Sequence, residues 1–186
     1  MKINPPNGFW IEKNLETDIG NYLWSQIDVA NLSVKNELVG HISNSFSLPD
    51  TEGIFKRYMF NQCQDLSFID SNFQAMNTWV NFQKKYEFNP NHTHGGRISF
   101  VIWMKIPYNY EDEKKTDLTK GVNAQCRSGC FELVYCDIFG RPNTYLYPLS
   151  TDLEGKMLIF PAELWHIVYP FYTSDEQRIS ISGNII

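Results

Sequence analysis

The spacing of apolar residues changes near residue 90, from a helical period before it to a period of two after it. Apolar positions at helical spacing predict one helix over 17–33 and a second over 68–86, whereas residues 34–60 show no clear period. From 98 to 106, isoleucine, phenylalanine and methionine recur at every second position until Pro107 ends the run, which predicts a strand.

Five shorter strands are predicted after this one, separated by turn-forming residues, over 131–138, 145–149, 157–160, 164–169 and 178–185. Before them lies a polar and charged stretch, 109–129, which has no period and predicts a long loop. Helices followed by many short strands are typical of an antiparallel sandwich or barrel buttressed by helices. The sequence therefore predicts a mainly β fold.

The composition is that of one soluble domain. The chain has 186 residues, of which 42% are hydrophobic, enough for one substantial core. A net charge of −5 argues against a nonspecific nucleic-acid binder. No apolar run approaches the roughly 18 residues of a membrane span, and the first residues lack the apolar region of a secretory signal. We therefore expect a cytoplasmic protein, whose oligomeric state the sequence leaves open.

Four cysteines are present, and none of them has the spacing of a zinc knuckle or a redox pair. In a cytoplasmic protein we expect reduced thiols. Cys136 falls in an apolar strand and is expected in the core, whereas Cys126 and Cys130 flank a loop and could pair only if oxidised.

Three of the four histidines are candidate metal ligands. His92 and His94 are two positions apart, so in an extended segment both imidazoles point the same way and can bind one ion. His166 lies in an apolar strand, where a buried imidazole needs a polar partner or a metal. Each histidine also has an ordinary alternative. His92 could be a loop residue, His94 a turn residue beside Gly95, and His166 a core residue with a buried structural hydrogen bond. His41 has no such context and is expected on the surface.

The last predicted strand has a polar and an apolar face. Arg178, Ser180, Ser182 and Asn184 alternate with isoleucines that can pack on a core layer. If the polar face points inward, Arg178 needs an anion, and Ser180 can donate its hydroxyl to the same carboxylate. The alternative is an edge strand whose polar face is solvated.

Taken together, these residues resemble the iron(II)- and 2-oxoglutarate-dependent oxygenase superfamily, and more narrowly a subfamily that is often encoded by phages. The resemblance covers about residues 88–186 and depends on His92-x-His94, the strand 99–106, the stretch 155–161, His166, and Arg178-x-Ser180 with Asn184. The part from 155 to 180 is fairly specific, and the His-x-His element is less so.

The resemblance implies a double-stranded β-helix, the cupin-like jelly roll. It would occupy 89–186 of a single domain, 1–186, with helical support and N-terminal strands in 1–88. The resemblance also implies Fe(II) as the metal and 2-oxoglutarate as cosubstrate. His92 and His166 would be metal ligands, and Arg178 with Ser180 would bind the distal carboxylate of 2-oxoglutarate. Such enzymes couple the oxidative decarboxylation of 2-oxoglutarate to hydroxylation of a substrate C–H bond.

Position 94 departs from the family pattern, because the family has Asp or Glu where this chain has His94. A three-histidine site would leave the iron with one more positive charge than two histidines and a carboxylate do. Alternatively, His94 is the first ligand and Gly96 takes the carboxylate position, which leaves a coordination place vacant as in the halogenases of the superfamily. Asp137 or Glu163 could also supply a carboxylate from elsewhere in the chain.

The sequence thus predicts a 2-oxoglutarate-dependent dioxygenase, an oxidoreductase that hydroxylates an unidentified small molecule or peptide. One alternative is a cupin-like binding or structural module, for instance a phage accessory protein, with a structural metal or none. A weaker alternative is a metal-dependent isomerase on the same fold. Trp103, Tyr108 and Trp165 are candidate pocket residues, although aromatic residues on strands are more often core. Segments 34–60 and 109–129 are expected to shape the entrance.

Overall fold

Two antiparallel sheets pack against one another in the computed structural model, which describes residues 2–3, 8–64, 66, 73–121 and 124–186. The strands are β1 (Lys2–Ile3), β2 (Trp10–Asn14), β3 (Asn44–Ser47), β4 (Met76–Gln83), β5 (Asn89–His92), β6 (Ile98–Lys105), β7 (Cys130–Cys136), β8 (Pro142–Pro148), β9 (Lys156–Pro161), β10 (Trp165–Val168) and β11 (Arg178–Ile185). The α-helices are α1 (Thr17–Val29), α2 (Ile54–Cys63) and α3 (Tyr110–Glu113), and short 3₁₀ turns cover Lys35–Glu37 and Thr151–Leu153.

The large sheet has the strand order β1-β2-β9-β6-β11-β4-β3, and the small sheet has the order β5-β10-β7-β8. Neighbouring strands are antiparallel throughout both sheets. Helices α1 and α2 pack on the outer face of the large sheet. The expectation of a mainly β jelly roll buttressed by N-terminal helices is confirmed. Segment 1–88 also supplies four strands of the large sheet, β1 to β4.

Two hydrophobic cores lie on the two faces of the large sheet. The outer core, under the helices, takes one face of β6 and of β11, including Ile102 and Ile181. The inner core, between the sheets, takes the other face of β6, including Val101 and Trp103. Because β6 is buried on both faces, almost its entire length is apolar.

Strand β11 lies near the centre of the large sheet, hydrogen-bonded to β4 on one side and to β6 on the other. The interpretation of this segment as a solvated edge strand is therefore wrong. Its isoleucines join the outer core, and the polar residues Arg178, Ser180 and Ser182 face a cavity between the sheets.

The predicted helix over 68–86 is wrong in its described part, because Met76–Gln83 forms β4; residues 67–72 lie outside the described residues. The even positions Met76, Val80 and Phe82 pack in the outer core, and the odd positions Trp79, Asn81 and Gln83 line the cavity between the sheets. A strand with an apolar outer face and a mixed inner face does not alternate cleanly, so its apolar positions imitated a helical stripe.

Helix α2 lies in the segment where the sequence shows no clear period. Its first turn is fixed by Asp50, whose carboxylate accepts the backbone N–H groups of Phe55 at 3.1 Å and of Lys56 at 2.8 Å. Helix α1 begins at the predicted residue but ends at Val29, earlier than expected.

Most other predicted elements agree with the structure to within a few residues. The stretch 109–129, expected as a loop, contains the short helix α3. Cys136 is exposed at the end of β7, so its expected place in the core is wrong, and all four cysteines are free thiols. In the described part of the chain, no helix is long and apolar enough to cross a membrane.

Candidate metal centre

Three imidazoles meet where the small sheet faces the cavity. His92 ends β5 and lies directly opposite His166 of β10 in the antiparallel pair, and His94 follows two residues later. The ring centroids lie 4.1 Å apart for His92 and His166, 4.8 Å for His92 and His94, and 5.0 Å for His94 and His166. One ring nitrogen from each lies within 4.8 Å of the others. We call these three residues the histidine cluster.

Burial keeps the histidine cluster uncharged at neutral pH. Desolvation, together with the positive charge that His92 would carry if protonated, lowers the pKa of His166 to about 3 and that of His94 to about 4. Burial also lowers the pKa of His92. Neutral imidazole is the form that binds a metal.

Backbone carbonyls fix the orientation of two of the rings. The Nδ1 of His92 lies 2.7 Å from the carbonyl oxygen of Pro90, and the Nδ1 of His166 lies 2.9 Å from that of Leu164. Because a carbonyl only accepts, each Nδ1 carries the proton and each Nε2 keeps a free lone pair. This is the hydrogen-bonding pattern that metal-binding histidines usually have.

The donor set fits Fe(II). Metal–nitrogen bonds of about 2.1 Å hold ligand nitrogens roughly 3–4 Å apart, so small side-chain rotations bring the three nitrogens of the cluster onto one ion. Imidazole is a common ligand of iron, and three neutral donors leave the charge of the ion uncompensated.

Neither of the carboxylates considered as a third ligand belongs to the cluster. Asp137 accepts the backbone N–H groups of Phe139 and Arg141 in the turn between β7 and β8, at 2.8 and 2.9 Å. Glu163 is exposed in the turn before β10. Among the described residues, the histidine cluster is the one group of three or more metal-binding side chains.

Arg178 is a buried cation on the wall of the same cavity. Its guanidinium donates hydrogen bonds to the Tyr108 hydroxyl, to Oε1 of Gln83 and, at 3.3 Å, to the carbonyl oxygen of Tyr169. All three acceptors are neutral, and none of the carboxylates within the described ranges forms an ion pair with Arg178. A buried guanidinium without a counter-ion is costly, so the cavity favours an anion at this position.

The cavity that contains the histidine cluster and Arg178 adjoins a wider groove of about 680 Å³. Four residues line both: Leu38, Val39, Trp79 and His94. Segment 34–60, which was expected to shape the entrance, supplies one wall of the groove. Residues 109–121 and 124–129, expected to do the same, line neither space.

The sequence identified the histidines, Arg178 and Ser180 as candidates, and the structure places all of them on this cavity. Gln83 was not recognised from the sequence, because it lay in the wrongly predicted helix. No pattern in the sequence indicated that Tyr108 would bond to Arg178. Of the candidate pocket aromatics, Trp103 lines the cavity, whereas Trp165 is half exposed on β10. His41 is exposed, as expected.

Comparison with known proteins identifies a family for this sequence and structures of similar fold. A family model described as "Putative 2OG-Fe(II) oxygenase" matches residues 77–184, a range that includes the histidine cluster and Arg178. No curated protein matches the chain. A solved prolyl-4-hydroxylase from Pseudomonas putida has a TM-score of 0.55 at 14% identity, covering 97% of this chain and 92% of its own. An oxidoreductase of the 2OG-Fe(II) oxygenase family from Burkholderia pseudomallei has a TM-score of 0.44 at 14% identity, with 94% and 83% covered.

Proposed function

The chain belongs to the 2-oxoglutarate- and iron(II)-dependent oxygenase family, and on that premise we propose which residues hold the two cofactors. The protein is an oxidoreductase that uses Fe(II) and 2-oxoglutarate. We assign the iron to His92, His94 and His166, and the distal carboxylate of 2-oxoglutarate to Arg178 and Ser180. The proposed reaction is hydroxylation of a C–H bond of a small molecule or peptide.

The unpaired buried charge of Arg178 is the observation that supports this assignment most strongly. A structural metal site needs no buried guanidinium on the same cavity wall, whereas a dicarboxylate cosubstrate needs a cation there. Ser180, two positions further along the same face of β11, can add a hydroxyl donor. The unpaired buried arginine beside the histidine cluster therefore favours the oxygenase over a cupin-like binding module.

When bound, iron and 2-oxoglutarate supply the oxidative chemistry, by which O2 is activated and 2-oxoglutarate is converted to succinate and carbon dioxide. The residues of the chain bind, orient and exclude water. Tyr108 and Gln83 hold the Arg178 guanidinium in place by accepting its hydrogen bonds. The Phe131 and Phe160 rings, 5.7 and 5.1 Å from His166, cover the histidine cluster with apolar surface. A dry wall of this kind strengthens the pairing of charges within the cavity.

We assign the substrate to the groove beside the cavity. The groove reaches the histidine cluster at His94 and Trp79, so a substrate lying in it approaches the metal position. Its walls mix apolar side chains with hydroxyl and amide groups. A cytoplasmic location and a phage origin stay predictions.

Anaerobic titration with Fe(II) and 2-oxoglutarate tests the assignment. Chelation of Fe(II) by 2-oxoglutarate gives a weak visible metal-to-ligand charge-transfer band, which a structural metal site alone does not give. We expect the band in the wild type, its loss in Arg178→Ala, and its retention in Arg141→Ala, which removes an exposed arginine from the turn before β8. A wild-type protein that gives no band with both compounds present would contradict the proposed function.

A further inference from the structure

Four oxidisable aromatic side chains form a continuous row that begins at the metal cavity. Trp103 lines the cavity, and its ring centroid lies 6.3 Å from that of Tyr147. Tyr147 lies 5.0 Å from Tyr145, and Tyr145 lies 5.1 Å from Trp10. Trp10, Trp103 and Tyr147 are buried in the inner core, and Tyr145 is partly exposed on β8. The row therefore connects the cavity with the protein surface.

The first member of this row is close to the histidine cluster. The Phe131 ring lies 5.8 Å from Trp103 and 5.7 Å from His166, so a single ring separates the indole from a proposed metal ligand. Trp79 also contacts the cluster, at 5.7 Å from His94, but no ring other than His94 contacts it among the described residues. Trp103 thus leads onward to other oxidisable side chains, and Trp79 does not.

Hydrogen bonds within the row end on a carboxylate. Nε1 of Trp10 donates to the Tyr147 hydroxyl at 2.7 Å, and that hydroxyl donates to Oε1 of Glu12 at 2.7 Å. Phenylalanine would pack in this core without burying polar groups that need partners. A phenol bonded to a carboxylate has a chemical use that phenylalanine lacks, because a tyrosine that loses an electron must also lose its proton, and Glu12 is in place to accept it.

We propose that Trp103, Tyr147, Tyr145 and Trp10 form an electron relay that protects the metal site when its oxidant meets no substrate. The relay rests on the proposed function, since the oxygenase reaction supplies the oxidant. Tyrosine and tryptophan are the aromatic side chains that give up an electron most readily, and the ring contacts of the row let the electron move in short steps.

In the relay, electrons move along the row from the protein surface toward the metal site. One electron passes from the Trp103 indole to the unused oxidant at the metal site. Tyr147 then returns an electron to Trp103 and transfers its phenolic proton to Glu12. Tyr145 refills Tyr147, either directly or through Trp10, and releases its own phenolic proton to solvent, while Tyr147 regains its proton from Glu12. A soluble one-electron donor, such as ascorbate or a thiol, finally reduces the partly exposed Tyr145, which takes a proton back from solvent. A second electron that follows the same route, with two protons from solvent, completes the two-electron reduction of the oxidant to water and restores Fe(II).

Turnover without a substrate tests the relay. Protein loaded with Fe(II) and 2-oxoglutarate is exposed to O2 without added reductant, succinate is measured, and samples are frozen for electron paramagnetic resonance. Oxidised residues are then mapped by peptide mass spectrometry. We expect a tyrosyl radical in the wild type, with oxidation products at Tyr145, Tyr147 and Trp10. We expect added ascorbate to lower the radical signal and the yield of oxidation products several-fold.

Two variants interrupt the row at different points. Tyr147→Phe removes one oxygen atom, and we expect several-fold less oxidation at Tyr145, more at Trp103 and Trp79, and several-fold faster inactivation per succinate formed. Glu12→Gln keeps every aromatic ring but removes the proton acceptor, and we expect a several-fold smaller radical signal. It also keeps the test available if Tyr147→Phe does not fold.

The matched control is Tyr22→Phe, because the Tyr22 hydroxyl also donates to a carboxylate, Asp50, at 2.7 Å but lies outside the row. It should behave like the wild type. Two outcomes would overturn the relay alone. One is succinate formation by the wild type without a tyrosyl radical. The other is a radical signal and an oxidation pattern in both Tyr147→Phe and Glu12→Gln that match those of the wild type. A wild-type protein that forms no succinate would overturn the proposed function, and the relay with it.

Discussion

Replacing Arg178 with methionine tests whether the buried guanidinium is there to bind the cosubstrate. Methionine is also long and fits irregular spaces, but it carries no charge. The change leaves Oε1 of Gln83 without its donor, which costs about 1–3 kcal/mol. It also removes a buried cation that has only neutral partners, which is favourable by a similar amount. We therefore expect the free energy of unfolding of the cofactor-free variant to differ from that of the wild type by no more than roughly 2 kcal/mol.

Arg178→Met should weaken 2-oxoglutarate binding by more than it changes the stability of the cofactor-free protein. A ligand at 100 times its Kd stabilises the native state by about 2.7 kcal/mol, which raises the Tm of a chain of this size by roughly 5–11 °C. Loss of a buried charged partner costs about 2–5 kcal/mol of binding. At the same concentration of 2-oxoglutarate, the stabilisation of Arg178→Met should therefore fall below about 1 kcal/mol.

The assay is thermal unfolding with and without 2-oxoglutarate, with Mn(II) in place of iron so that no turnover occurs. Arg141→Met, which removes an exposed arginine, is the matched control and should keep the full shift. If 2-oxoglutarate raises the Tm of Arg178→Met as much as that of the wild type, the carboxylate binds elsewhere and the assignment of Arg178 is wrong.

Three further predictions concern the sheet, the histidine cluster and the support of Arg178. In Gly183→Ala the new Cβ would lie 2.5 Å from the Phe100 ring, so thermal unfolding should show a loss of about 1–3 kcal/mol, whereas Gly20→Ala in α1 meets only an ordinary contact and should not destabilise. Burial lowers the pKa values of His94 and His166 in the folded, metal-free protein. Below pH 6.5 these histidines therefore take up protons in the unfolded chain but stay neutral in the folded one. Urea unfolding should therefore show stability falling from about pH 6.5 to 4 by up to roughly 1.4 kcal/mol per pH unit for each such histidine; a flat profile would contradict their burial. Tyr108→Phe removes a hydroxyl that holds Arg178 and should weaken 2-oxoglutarate binding up to about tenfold in calorimetry; unchanged affinity would mean that Tyr108 does not position the arginine.

The last strand, β11, was predictable because its two faces have different chemistry. The serines and Arg178 occupy one face of β11 and the isoleucines the other, and this alternation predicts the strand. It left open whether the polar face points inward or lies at a solvated edge, and the central position of β11 in the sheet decides for the inward orientation. The pairing of His92 with His166 could not be derived in this way, since it depends on the register between β5 and β10, which no local pattern encodes.

The first half was less predictable because tertiary contacts decide its structure. Strand β4 contains an apolar outer face and a cavity-lining inner face, so its pattern imitates a helix until its neighbours β3 and β11 are known. Helix α2 begins where Asp50 accepts its first N–H groups, a contact that no apolar period reveals. Gln83 became recognisable as a partner of Arg178 only once β4 was placed beside β11.

X-ray absorption spectroscopy of the anaerobic Fe(II) protein tests the convergence of the three histidines most directly, because it counts imidazole ligands on the metal. We expect three imidazole ligands in the wild type and two in His94→Gln, in which an uncharged amide replaces the imidazole ring. A wild-type iron that carries fewer than three imidazoles, or a count that His94→Gln leaves unchanged, would contradict the three-histidine site.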